Sequence, residues 1–224
     1  LGGAPSIIPG APAAWLRALE VGGTMSLGDV AAQAIALARD GFVLDERTAT
    51  SLAITGRGFS QWPSSNDIYR PGDIDPIAGQ LLVQPALASL LQSLVDAEAS
   101  GARSRVDGIR RAHDAFYRGD VAHIMSRFVV ENGGWLSPDD FATFDAECEP
   151  ALRSEVWGWD FGVTPSWSQG PVALEILGLL QRLPATEHSL VEAITLAFND
   201  REDYLAAPGQ MSADVNWLLS SGRL

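Results

Sequence analysis

The chain has 224 residues, a formal net charge of −13 and a mean hydropathy of +0.07. That length can bury a full core, and one domain is the default expectation. All fifteen basic residues are arginine, which rules out a Schiff-base lysine or a phosphate-loop lysine. The acidic balance argues against nucleic acid as a partner, because phosphates need clustered Arg and Lys, and no apolar run reaches membrane-spanning length, so no membrane partner is expected.

Helices dominate the predicted elements. Pro12 suits a first helical turn, and Ala13, Trp15, Leu16 and Leu19 follow at helical spacing. Ser26 with Asp29 makes a capping-box start. Val30, Ala31, Ala34, Ile35 and Ala38 then form one face, and Gly41 closes the helix. A short helix is expected from Asp45 to Ile54. Residues 55 to 79 are crowded with Gly, Pro, Ser, Asn and Asp and read as one long irregular excursion. Pro85 opens the strongest helix, with Leu87, Leu90, Leu91, Leu94 and Val95 on one face.

The next helix is expected from Arg105 to Arg118, ending at Gly119. Another runs through Val121, Ile124, Met125, Phe128 and Val129 to Gly133-Gly134. Ser137 caps a third, with Pro138 at its first position. Residues 151–157 and 159–164 flank Gly158 and read as a hairpin or two short strands. Gly170-Pro171 opens a helix through Leu174, Ile176, Leu177 and Leu180. A longer one from Ser189 to Leu205 is expected to turn Leu190, Ala193, Ile194, Ala197 and Phe198 inward. A short helix holds Val215, Trp217, Leu218 and Leu219, and residues 220–224 read as a fraying polar tail.

Candidate chemistry is sparse. Cys148 is the only cysteine, so there is no disulfide framework and no cysteine-based metal site, and its acidic neighbours make it a poor nucleophile. His113, His123 and His188 have no partner at metal-ligand spacing, and helix-surface roles suit them better. The run Arg103, Arg105, Arg110, Arg111, interrupted by Asp107 and Asp114, reads as a solvated helix face. Trp157, Trp159 and Trp167 suit packing over a sheet better than a pocket. The loop from Pro165 to Pro171 follows a strand and precedes a helix N-terminus. Ser168 there is either a plain helix cap or, with Gln169 and Gly170, a substrate contact. No cofactor, no metal and no catalytic residue are expected on this chain.

Several segments carry a resemblance. They are Pro9-Gly10 before a helix, Ala34 through Phe42, Gln84-Pro85 with Leu87-Ala88, and Asp114 through Gly119. Gly133-Gly134, Pro165 through Pro171, Val191-Glu192-Ala193 with Ala197 through Arg201, and Trp217 through Ser220 follow in order. In this order they resemble the large subunit of the gamma-glutamyltransferase family. The resemblance implies an α+β, four-layer αββα N-terminal nucleophile hydrolase fold, of which residues 1–224 are the mostly helical large-subunit part. It implies one domain completed by residues upstream of Leu1 and by a separate small subunit from the same precursor. That subunit would carry an N-terminal threonine, exposed when the precursor cuts itself, whose hydroxyl attacks and whose amine serves as base. A small-molecule amide is the implied substrate, and a higher oligomer of heterodimers is left open.

The family's glutamyl-binding arginine has no counterpart here. Ser168-Gln169-Gly170 replaces the usual proline run and serine-glycine pair, and looks more like amidohydrolase or acylase relatives. Two activities therefore stay open: gamma-glutamyl transfer or hydrolysis, with glutathione as the type substrate, and hydrolysis of another small acyl amide. A non-catalytic helical binding module is the alternative of another class. The compartment, whether bacterial periplasm, secreted or cytoplasm, is not indicated.

Overall fold

The structure, a computed structural model, describes residues 2–206, 209–220 and 222–223, with the backbone only at 57 and 59. It divides into two compact units, Leu1–Glu147 and Cys148–Leu224.

The first unit is built from helices α1 (Ala11–Gly22), α2 (Leu27–Asp40), α3 (Glu46–Phe59), α4 (Pro63–Tyr69), α5 (Pro85–Ala99), α6 (Arg105–Tyr117), α7 (Asp120–Glu131) and α8 (Pro138–Thr143). A short antiparallel ladder joins β1 (Phe42–Val43) to β2 (Leu81–Leu82). The expected capping boxes are both present. The hydroxyls of Ser26 and Ser137 accept from Asp29 N and Asp140 N, and each aspartate accepts in turn from the serine backbone N–H. These reciprocal bonds satisfy donors that a helix start leaves orphaned.

Helix α6 is the centre of this unit. Ile109, Ala112, Phe116 and Tyr117 on it are buried against Ala13 and Leu16 of α1, Leu94 of α5, Ala122 of α7 and Phe141 of α8. Tyr117 is fully buried, and its hydroxyl donates to Pro9 O (2.5 Å) and accepts from Ala13 N (3.0 Å). Gly10, the residue before α1, offers no side-chain cap, so a tyrosine 104 positions away in sequence caps that helix instead.

Two of the arginines read as a solvated face have structural work. Arg105 donates to Leu19 O and Glu20 O at the end of α1, and Arg110 clasps the Glu20 carboxylate at 2.6 Å. Cationic groups at a helix C-terminus are favoured by the partial negative charge of its last carbonyls.

Residues 55–79 are not one irregular excursion. Helix α3 runs on to Phe59, Pro63 starts α4, and a 3-10 turn covers Pro71–Asp73. Proline in a first turn has its φ already set for helix and loses no hydrogen bond there. The segment is then fastened by Arg70, which donates to Asp75 Oδ1 (2.7 Å) and to Asp73 O, and by Asn66 donating to Asp73 Oδ1.

In the second unit, β3 (Leu152–Val156) and β4 (Trp159–Val163) form the expected hairpin, with Val156 opposite Trp159. The two turn residues, Trp157 and Gly158, have φ of +52° and +78°. Positive φ at both central positions matches the right-handed twist of the flanking strands. Helices α9 (Gly170–Leu180), α10 (Glu187–Tyr204) and α11 (Val215–Leu218) follow.

The inward face of α10 differs from expectation. Ser189, Ala193, Ala197 and Asp200 are buried, whereas Leu190, Ile194 and Phe198 are exposed. The small residues at four-residue spacing lie on the buried stripe, where a helix can be approached closely. Trp157, Trp159 and Trp167 are likewise exposed rather than packed over the hairpin. In the predicted polar tail, Ser221 and Leu224 lie outside the described residues. Arg223 is not frayed: it pairs with Asp200 and its guanidinium lies 5.5 Å from the Trp217 ring centre.

Candidate functional site

The loop between β4 and α9 is held by its own hydroxyls. Ser168 Oγ lies 2.5 Å from Thr164 Oγ1 and 2.9 Å from Pro165 O, and accepts from Gly170 N at 3.0 Å. Ser168 thus satisfies the first amide of α9, as a helix cap would, and its hydroxyl is engaged within the loop. Trp167 Nε1 donates to Glu149 Oε2 at 2.7 Å and anchors the loop's outer side. Gln169 stands exposed at the start of α9. Gly170 admits no side chain, since an added Cβ would lie 2.0 Å from Thr164 O. Of the three predicted contact residues, Gln169 is exposed and offers the carboxamide, Ser168 shapes the loop, and Gly170 permits its close turn.

Beneath the loop's helix lies a feature that the sequence reading missed. Glu175 on α9 is 2% exposed, and its Oε1 has no hydrogen-bond partner. Burial pushes its carboxyl up to about 8. The hydrogen bond that the protonated carboxyl donates to Asp200 on α10, and the negative charge of Asp200, act in the same direction, and Arg223 acts against them. Asp200 is 8% exposed and takes the Arg223 ion pair. The signal was available: Glu175 is the one charged residue between Gly170 and Leu180. An ionisable group inside an apolar helix needs a buried partner.

A pH dependence follows. The unfolded chain releases the Glu175 proton near the ordinary glutamate value, whereas the folded unit holds it to about 8. Stability is therefore greatest below the lower value and falls as pH rises through the window between them. Glu175→Gln mimics the protonated form and removes that slope. Urea unfolding of variant and wild type should give similar midpoints at pH 5. At pH 8 the variant should be favoured by on the order of 4 kcal/mol. A constant difference at both pH values would rule the buried proton out.

His113 is mostly buried in α6, stacked on Tyr117 at 4.6 Å, while His123 is exposed on α7 and His188 begins α10. Among the described residues no group of three or more His, Cys, Asp or Glu is placed to hold a metal, and no helix is long and apolar enough to cross a membrane. Cys148 is exposed and unpaired.

The sequence profile of the gamma-glutamyltranspeptidase family matches residues 1–223. The chain is 26% identical over 95% of its length to the glutathione hydrolase-like YwrD proenzyme of Bacillus subtilis, and 27% identical over 95% to an acylase ACY 1 proenzyme of Pseudomonas sp.. It spans 39% and 37% of those proteins' lengths. The crystal structure of Helicobacter pylori gamma-glutamyltranspeptidase superimposes with a TM-score of 0.85 at 23% identity, over 98% of this chain and 62% of that one. The structural likeness defines the class first: the chain has the mostly helical, large-subunit portion of an α+β N-terminal nucleophile hydrolase fold. It belongs to the gamma-glutamyltranspeptidase family.

Proposed function

We propose that residues 1–224 act as the large-subunit portion of a self-cleaving amide hydrolase or acyltransferase, within one catalytic domain completed by upstream residues and a small subunit. The observation that carries this reading is a family match over residues 1–223 in a chain spanning only 39% of the YwrD-like proenzyme. The small subunit supplies an N-terminal threonine. Its hydroxyl takes the acyl group from a small amide, its amine manages the proton, and water or an amine then releases the product. Gamma-glutamyl compounds such as glutathione are the first substrate class. Hydrolysis of another small acyl amide is the second, favoured by Ser168-Gln169-Gly170 in the loop and by the likeness to an acylase proenzyme.

Expression of the full-length gene, followed by N-terminal sequencing of every polypeptide in the purified sample, tests the first step. A second chain beginning with threonine is expected. A single uncut polypeptide that hydrolyses neither a gamma-glutamyl anilide nor short amides would point to the non-catalytic binding module.

Gln169 is the exposed member of the proposed substrate-binding set Ser168, Gln169 and Gly170. Gln169→Ala should leave self-cleavage intact and change the ratio of kcat/KM for a gamma-glutamyl anilide to that for a short amide by about tenfold, the effect of losing one hydrogen bond of ~1.4 kcal/mol. An unchanged ratio across several amides would remove Gln169 from the substrate site.

A further inference from the structure

The first unit contains a cleft of about 290 Å³. Its apolar floor includes Ala13, Leu16 and Ile109, and its rim is polar. Most of the rim charges are matched. Glu20 takes Arg17 at 3.0 Å and Arg110 at 2.6 Å, and Asp114 takes Arg118. Two polar atoms remain unmet, and one carboxylate has no charged donor. Arg17 Nε and His113 Nε2 are both buried without a hydrogen-bond partner. Asp145 is exposed and accepts only from the adjacent Ala146 N; its Oδ1 stands 3.8 Å from His113 Nε2, too far for a hydrogen bond.

Two nitrogens that lack an acceptor thus stand beside a carboxylate that lacks a strong donor, above an apolar floor. The geometry points to a binding site for a small zwitterion, an α-amino acid with a short aliphatic side chain. Its carboxylate accepts from Arg17 Nε and from an N–H at His113 Nε2. Its ammonium donates to Asp145. Its side chain covers Leu16 and Ile109. The two charged groups of an α-amino acid lie on neighbouring carbons, which suits the closeness of His113 and Asp145. Arg17 and Asp145 keep 39% and 71% of their side-chain surface exposed, so both can turn to admit the ligand. A buried donor left unpaired costs about 1–3 kcal/mol, which is the penalty the ligand would relieve. The test reads His113 itself, so the site stands or falls separately from the threonine chemistry proposed above.

The test uses the full-length protein labelled with ¹⁵N-histidine, with the His113 ring signals assigned through His113→Asn. L-alanine, propionate and ethylammonium are titrated at constant ionic strength. The ring signal reports binding at His113 itself. L-alanine should move the His113 ε2 signal along a saturable curve, with propionate and ethylammonium at least about tenfold weaker, a difference of ~1.4 kcal/mol. Asp145→Asn should lower alanine to the level of propionate, and Arg17→Gln should weaken both. An unmoved His113 signal would overturn the site. So would propionate binding as tightly as alanine, which would mean a simple anion site. The wild-type titrations decide the matter even if a variant fails to fold.

Discussion

Glu98→Ala should destabilise the first unit by about 3–6 kcal/mol, because hydrogen bonds to a charged group contribute roughly 1.5–3 kcal/mol each and two are lost. Glu98 lies near the end of α5, yet its carboxylate caps α2. Leu27 N donates to Oε1 at 2.6 Å and Gly28 N to Oε2 at 2.9 Å. Both amides belong to the first turn of α2, which has no earlier carbonyls to bond. The negative charge also meets the positive end of the helix dipole. Glu98 is 9% exposed, so water replaces it poorly. Glu98→Gln keeps the volume and one acceptor oxygen, and should recover about half of the loss. Urea unfolding measures the total, and hydrogen exchange at Leu27 and Gly28 localises it. An alanine variant within about 0.5 kcal/mol of wild type, the scatter of ordinary surface changes, would show that Ser26 alone caps α2.

Gly170→Ala should destabilise the second unit by about 3 kcal/mol or more, at the upper end of the cost of forcing extra atoms into a packed site. The added carbon would lie 2.0 Å from Thr164 O and 3.0 Å from Val163 Cβ. The first of these is backbone, so no rotamer change relieves it. The loop would have to move away from α9, and the Ser168 bond to Gly170 N would break with it. Gly162→Ala is the control on the same hairpin. Its added carbon meets only Ala151 Cβ at 3.7 Å, ordinary contact, and the change should stay within about 0.5 kcal/mol. Equal losses in both variants would mean that glycine's backbone freedom, not the close approach at Thr164, governs position 170. If residues 168–170 also meet substrate, Gly170→Ala should abolish the Gln169-dependent preference along with the stability.

Much of the helical layout was legible before any coordinates, and so was the hairpin. Ser26 with Asp29 and Ser137 with Asp140 announce helix starts through bonds that span three residues. Gly158 announces the hairpin because its turn needs a positive φ. Residues 55–79 were misread because Pro, Ser and Asn serve helix starts as readily as loops. What distinguishes the two is the contact of Arg70 with Asp73 and Asp75. The inward face of α10 was misread because its apolar residues outnumber its small ones, while the packed stripe is Ala193 and Ala197.

By itself the sequence determined the helices, the hairpin, the family and the absence of a lysine, because local hydrogen bonding, periodicity and composition reach only a few residues along the chain. Only the tertiary structure decided which polar groups are buried together. Glu98 under α2, Tyr117 against Pro9 and Ala13, Glu175 beside Asp200, and His113 near Asp145 are each created by packing. All but Glu175 and Asp200, 25 positions apart, and His113 and Asp145, 32 apart, join residues at least 70 positions distant. No local pattern encodes such pairs, because their energies come from desolvation and from partners that only the fold brings within reach.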